Sequence, residues 1–251
     1  MSQLSFNNYI IVSCGTLNPE LNYLRKEGFL DVKRIFYTKP GLHDYPVELE
    51  KWLISILKVA KKYSSKIIII YGSLCYVDSH HPEITVEALA KKEIRNPIMI
   101  NIKNCIDAIA SKKEREEISK GEKIYWLTPG WIKYRNILFK DWDVGKINET
   151  FPMNDKAVVL DGINFFDKWS EKKPEELLEF SGWMGLPVEG YKTNLNRLKK
   201  ILINCVIDDL EREITIMKES IPPHSISPTA MIEIEEKEDE LERLKKVRDK
   251  F

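Results

Sequence analysis

Short apolar runs alternate with longer stretches of helical spacing along most of this chain. Tyr9-Ile10-Ile11-Val12-Ser13-Cys14, Ile67-Ile68-Ile69-Ile70 and Ile98-Met99-Ile100-Asn101-Ile102 are rich in Ile and Val and bounded by Gly, Pro or Asn. Runs of that kind read as buried strands. Residues 31–37, 124–128, 157–160 and 186–189 add four further strand candidates. Between the runs, Leu49, Trp52, Leu53, Ile56, Leu57 and Ala60 recur at three- and four-residue steps, the spacing of a helix with one buried face. Asn18-Pro19 predicts a helix start and Asn104 a cap on a helix opening at Cys105. Short helices are expected at 83–92 and 173–182, and two helical pieces within 131–151. Stretches this long between strands favour crossover connections, so the fold class is α/β, an open, mostly parallel sheet flanked by helices.

The pattern changes near residue 205. Ile203, Ile207, Leu210, Ile214, Met217 and Ile221 are spaced like a heptad repeat. Ile221-Pro222-Pro223-His224 breaks that helix, and a charged helix over 229–249 carries Ile234, Leu241, Leu244 and Phe251 on one side. The predicted organisation is an α/β domain over 1–204 and an acidic helical hairpin over 205–251. The hairpin packs on the body or on a second copy, which leaves a homodimer through these helices open.

Composition narrows the function classes. Lys plus Arg and Asp plus Glu both number 39, for a formal net charge of zero. That balance gives no reason to expect nucleic acid or a membrane surface as partner. Residues 205–251 hold 8 basic and 13 acidic side chains, a net of −5, so the body carries +5. No apolar run approaches the ~18–20 residues of a membrane span. Met1-Ser2-Gln3-Leu4-Ser5-Phe6 lacks the basic and apolar segments of a secretory leader. The expected setting is the cytoplasm with reduced thiols, where clustered cysteines suggest metal or redox chemistry.

Three of the four cysteines fall just after strand candidates: Cys14, Cys75 and Cys105. In an open parallel sheet, ligands bind beyond the carboxyl ends of the strands, so these thiols are expected at one edge. His43, in a loop after the second strand, belongs to the same edge, with Asp44 beside it as a partner for the ring. Three thiolates and an imidazole suit zinc or an iron–sulfur cluster. No local Cys-x-x-Cys spacing exists, so the fold must assemble any such site. Cys105 sits in a helix first turn, where the dipole lowers a thiol pKa, and Cys14 precedes another helix start. Gly15 permits close backbone approach by a ligand, Tyr71 and Gly72 lead into Cys75, and Thr128 and Trp131 are candidate walls for a flat or apolar ligand. Cys205 lies among Ile201, Leu202, Ile203 and Val206 and reads as core. His80 and His81 read as a solvated loop, and His224 as part of the helical linker. The chain lacks the dinucleotide, Walker, zincin and hydrolase motifs. Two other readings stay open: thiol redox chemistry between two of the cysteines, which needs Cα atoms within about 7 Å, and a non-catalytic scaffold that docks partners through the hairpin.

The ordered set Cys14-Gly15, Leu42-His43-Asp44-Tyr45-Pro46, Tyr71-Gly72-Ser73-Leu74-Cys75, Cys105, Leu127-Thr128-Pro129-Gly130-Trp131 and Gly185-Leu186-Pro187 resembles a prokaryotic family, domain of unknown function 1638 (DUF1638), over about residues 9–202. The family often has Gly after the second cysteine, where this chain has Tyr76. The resemblance implies the same ligand set, Cys14, His43, Cys75 and Cys105. Members are common in methanogenic archaea and in bacteria with corrinoid-dependent methyl metabolism. The resemblance therefore also implies a corrinoid protein or methyltransferase as partner, contact with a corrinoid, and a role as a methyltransferase-associated or redox accessory protein.

Overall fold

The structure is a computed structural model that describes residues 5–77, 81–221 and 228–251. Asp78, Ser79, His80 and His224 lie outside the described residues, as does the predicted Pro222-Pro223 break.

Two parallel sheets divide the strands. The first lobe runs β1 (Tyr9–Ser13), α1 (Asn18–Lys26), β2 (Arg34–Tyr37), α2 (Pro46–Ala60), β3 (Lys66–Ile70), α3 (Val86–Lys91), β4 (Ile98–Met99), α4 (Cys105–Ile109) and α5 (Lys112–Ser119). Its sheet has the order β2-β1-β3-β4, all parallel. The second lobe runs β5 (Ile124–Leu127), α6 (Pro129–Lys133), α7 (Arg135–Leu138), α8 (Val144–Thr150), β6 (Lys156–Asp161), α9 (Phe166–Lys172), α10 (Pro174–Met184) and β7 (Val188–Lys192). Its sheet is β5-β6-β7, also parallel. The parallel α/β architecture is as the sequence predicts, with the strands shared between two sheets.

Unbroken apolar runs build the first sheet because both of its faces are covered. On β1, Ile11 faces one core and Ile10 and Val12 the other. β3 alternates likewise, with Ile68 and Ile70 on one side and Ile67 and Ile69 on the other. Leu49, Leu53 and Leu57 of α2 close the second side. The first side is closed by α1 and by a helix from the far end of the chain, α11 (Asn196–Glu219). Leu198, Leu202, Ile203, Val206, Ile207, Leu210 and Ile214 of α11 share one core with Ile11 and Ile68. The expected boundary at 204/205 thus falls inside a continuous helix, and Cys205 is buried in that core.

α12 (Pro228–Arg248) pairs with α11 to make the hairpin. Leu244 is buried against the same core and Leu241 and Phe251 pack on it. Lys237–Glu213 (2.7 Å), Lys218–Glu238 (2.6 Å) and Lys245–Glu211 (2.9 Å) cross between the two helices. The heptad-spaced face of α11 is therefore occupied by this chain's own sheet and its own α12. The second lobe has a separate core rich in aromatic rings, including Phe139, Phe151, Trp169 and Phe180. Among the described residues no helix is long and apolar enough to cross a membrane.

The lobes meet where α1 packs on α6. Gly130 makes this contact possible: a Cβ there would stand 1.6 Å from the carbonyl oxygen of Thr16.

Candidate functional site

The order β2-β1-β3-β4 reverses between β1 and β3, because the chain leaves β1 toward one edge and returns on its other side. Such a reversal opens a crevice at the carboxyl ends of the two strands, where α/β proteins bind ligands. A cavity of about 280 Å³ lies there. Its walls include Cys14 after β1, Cys75 after β3, Cys105 after β4, and His43 in the loop after β2. The four candidate ligands thus line one space, together with Tyr71, Gly72 and Trp131.

Backbone interactions fix each thiol. The Cys14 amide donates to Ile70 O at 3.4 Å, which extends the β1–β3 pairing by one residue. Beyond β3, the Ser73 and Leu74 amides donate to Ile102 O (2.9 Å) and Lys103 O (3.0 Å), and the Cys75 amide turns back to Gly72 O (3.0 Å). Gly72 permits that crossing, since a Cβ would lie 2.1 Å from Lys103 O. Cys105 is the first residue of α4, which Asn104 caps by accepting from the Asp107 amide at 3.0 Å. His43 sits in a single turn of 3₁₀ helix over Leu42–Asp44, opened by the left-handed Gly41.

The side chains around the sulfurs are specific. Thr16 Oγ1 donates to Cys14 Sγ at 3.0 Å, and Trp131 Nε1 donates to Cys105 Sγ at 3.3 Å. The Trp131 ring lies 5.9 Å from the His43 ring, so the second lobe contributes the indole that faces the first lobe's donors. His43 Nε2 is 3.7 Å from Asp44 Oδ1, within ion-pair reach and beyond a hydrogen bond. Tyr71 and Thr38 hydroxyls bond each other.

Burial governs the protonation of this site. The Cys75 thiol is pushed up to about 12 by desolvation, then by the charges of Cys105 and Cys14. Cys105 rises to about 11 from burial and then from Cys14, although the Trp131 and Thr16 donors oppose the shift. Cys14 also rises with burial, against the pull of Thr16. Each thiol's charge weighs on another, a mark of their closeness. The expected lowering of the Cys105 and Cys14 pKa by helix starts does not occur. α4 is only five residues long, and removal from water outweighs its dipole. Burial pushes His43 down, Asp44 pulls it up and Lys146 lowers it further; the net direction is down, toward the neutral ring.

Other expected residues are placed differently. Gly15 lies outside the cavity wall, with a virtual Cβ 2.5 Å from Thr38 O, so its close approach is to this chain's own backbone. Thr128 is fully buried at the start of α6, away from the cavity lining. Tyr76 points into the core around α2, where its hydroxyl reaches Glu50 at 3.2 Å, and leaves the cavity free. His81 is exposed beside Glu83. Thr16 and the buried Glu20 were not foreseen as site residues. Glu20 has no hydrogen-bond partner at either carboxylate oxygen, and Tyr37 and Thr128 hydroxyls are orphaned as well. Burial, followed by the Asp161 charge, pushes the Glu20 carboxyl up to about 8; the backbone of Glu20 and Gly130 and the Lys133 ammonium resist.

Among the described residues, no group of three or more His, Cys, Asp or Glu side chains is already drawn together around a point where a metal ion would sit. The thiols stand on the walls of a wider space.

No curated protein and no solved structure matches the chain. The model of a family described as Protein of unknown function (DUF1638) matches residues 37–202, a span that includes His43, Cys75 and Cys105 and begins after Cys14. That match covers well over half of the chain, and the chain belongs to the DUF1638 family.

Proposed function

We propose that this protein binds an iron–sulfur cluster through Cys14, Cys75 and Cys105, with His43 as fourth ligand or as the neutral base beside it. The observation that carries the reading is the arrival of three thiols, from the ends of three adjacent parallel strands, in one cavity at the sheet's reversal point. Thiolates are soft donors suited to such clusters. The same donors would also hold a single zinc ion, with Zn–S near 2.3 Å. Thiols on the walls of a space of about 280 Å³ suit a larger polynuclear occupant better. Bound there, a cluster supplies an electron or an iron open to a further donor. The chain's own part is to hold three sulfurs, to donate to two of them from Thr16 and Trp131, and to keep water out with apolar walls. In the methyl metabolism that the family resemblance implies, an external low-potential donor would fill the cluster and a corrinoid on a partner would receive the electron. A macrocycle exceeds the cavity, so that partner would meet its rim.

The test is purification without oxygen, followed by iron, zinc and acid-labile sulfide analysis and an absorption spectrum. Iron with sulfide is expected, and its loss from Cys14→Ser, Cys75→Ser and Cys105→Ser with far-UV circular dichroism unchanged. About one zinc per chain without visible absorbance would replace the cluster with Lewis-acid chemistry on the same residues. Folded, reduced protein without metal would refute the site and favour the scaffold reading through the α11–α12 hairpin.

A further inference from the structure

The seam between the lobes holds a buried acid that the thiol cavity does not use. Glu20 on α1 is 1% exposed, and both of its carboxylate oxygens lack a hydrogen-bond partner. On the other lobe, Thr128 at the start of α6 is fully buried and its hydroxyl is unpartnered as well. Buried polar groups are nearly always paired, and an ionised one is very costly without a partner. The groups that face Glu20 leave it unpaired. From α6 these are the Gly130 backbone and the Lys133 ammonium, and from the end of β6 Asp161. Lys133 instead reaches Asn18 Oδ1 at 3.4 Å, and the Asp161 carboxylate is taken by the Ile163 and Phe166 amides at 3.1 and 2.7 Å. Tyr37 of β2 and Cys105 of α4 feel the Glu20 charge, and Tyr134 and Arg25 face Tyr37. Burial is the largest influence on the acid and pushes it up to about 8.

The same seam has no slack. A Cβ on Gly130 would stand 1.6 Å from Thr16 O, so α6 lies directly on the chain that leads into α1. Trp131, the next residue, donates to Cys105 Sγ at 3.3 Å and walls the thiol cavity. α6 is only five residues long, and its side-chain bonds to α1 are those of Lys133 and Tyr134 to Asn18, at 3.4 and 3.0 Å. A helix this short does not persist without tertiary packing. A carboxylate at position 20 needs water, and water enters the seam when α6 rises from α1.

We propose that Glu20 is a proton-operated latch for α6. Protonated, it lets α6 lie on α1 with Trp131 closing one wall of the thiol cavity. Ionised, it draws water into the seam, α6 lifts and frays, and the cavity opens on the Trp131 side. The latch concerns access alone, so it stands whatever the cavity holds and does not rest on the cluster reading. Its direction is fixed: the acid is ordinary at 4.5 when hydrated, so the open form gains on the closed form as pH rises from there to about 8, and levels off above.

The experiment is amide hydrogen exchange on the full chain, read by mass spectrometry from about pH 6 to about pH 9 and corrected for the intrinsic pH dependence of exchange. The Trp131 and Tyr134 amides, which donate to Thr128 O and Gly130 O at 3.0 Å each, report on α6. Their protection is expected to fall at least about tenfold between about pH 6 and 8 in the wild type and to level above, while β1 and β3 stay protected. Glu20→Gln keeps the shape and cannot ionise, so its α6 protection is expected to stay constant across the range. Glu20→Met gives the same readout with an apolar side chain. Wild-type protection that does not change with pH, an equal fall in β1 and β3, or the same fall in a folded variant overturns the latch. Should both variants fail to fold, the wild-type comparison of α6 with β1 and β3 decides.

Discussion

The buried Glu20 makes a quantitative prediction. Its side chain is about 1% exposed, neither oxygen has a hydrogen-bond partner, and its pKa is pushed from 4.5 to about 8, chiefly by burial. An acid whose folded pKa lies above its unfolded value binds more protons when folded. Stability must then fall as pH rises from the unfolded value toward the folded one. The slope approaches ~1.4 kcal/mol per pH unit, and the whole shift of 3.5 units corresponds to about 5 kcal/mol as an upper value. Between about pH 5.5 and 7.5 the group should cost the wild type about 2–3 kcal/mol. Glu20→Gln removes the titration and keeps the shape. His43, pushed down by burial, acts in the opposite sense: its contribution is lost as pH falls through its unfolded value of 6.5. That term is present in both proteins and cancels in the comparison. Urea unfolding of wild type and Glu20→Gln at several pH values across this range measures the two slopes. The wild type should lose stability relative to the variant as pH rises. Parallel curves would mean that water or a partner reaches Glu20 and that its burial is not as described.

The remaining predictions concern the site and its supports. Gly130→Ala puts a methyl group against Thr16 O and should cost about 3 kcal/mol or more. Thermal unfolding reads that loss, and exposure of Cys105 to alkylation rises with it if the lobes separate. Thr16→Val removes the donor to Cys14 and should weaken the site by about 1 kcal/mol, seen as faster loss of iron to a chelator. In metal-free protein at about pH 8, a Cys75 thiol held near 12 should react with iodoacetamide about a thousandfold more slowly than an ordinary cysteine; an ordinary rate would show that the cavity is open to water. Leu202→Ala in α11 should cost about 2–5 kcal/mol by leaving a hole under the first sheet, checked by urea unfolding.

How much of this was legible in the sequence follows from which forces leave a local signature. β1 and β3 are unmistakable because both sheet faces are covered, so Tyr9 to Val12 and Ile67 to Ile70 are unbroken apolar runs. β4 is shorter than its apolar run: pairing stops after Met99, while Ile100 and Ile102 stay buried as a loop. α5 has no buried residue and so no hydrophobic pattern; its signature is the capping box of Ser111 and Glu114. α9 is a seven-residue helix hidden in an aromatic stretch. The division into two sheets leaves no trace in periodicity, which reports burial and not which strand is the neighbour. At the site, Cys14, His43, Cys75 and Cys105 were legible because each follows a strand. Thr16 donates to Cys14 from two residues away, a contact that has no periodic signature, and the burial of Glu20 comes in part from α6, more than a hundred residues away. Gly15 reads in the sequence as room for a ligand, whereas what approaches it is the chain's own backbone at Thr38, and Gly72 likewise meets Lys103.

The dependence of the first sheet on α11 has a consequence for the order in which the molecule can be finished. All three thiols lie within the first 105 residues, and Trp131 follows 26 residues after the last of them. One face of β1 and β3 nevertheless waits for Leu198 to Ile214, more than ninety residues further along the chain. A lobe made without those residues would leave Ile11, Ile68 and Ile70 facing water. Completion of α11 shuts that core, so a chain cut before α11 should hold its three thiols on a sheet that is not closed.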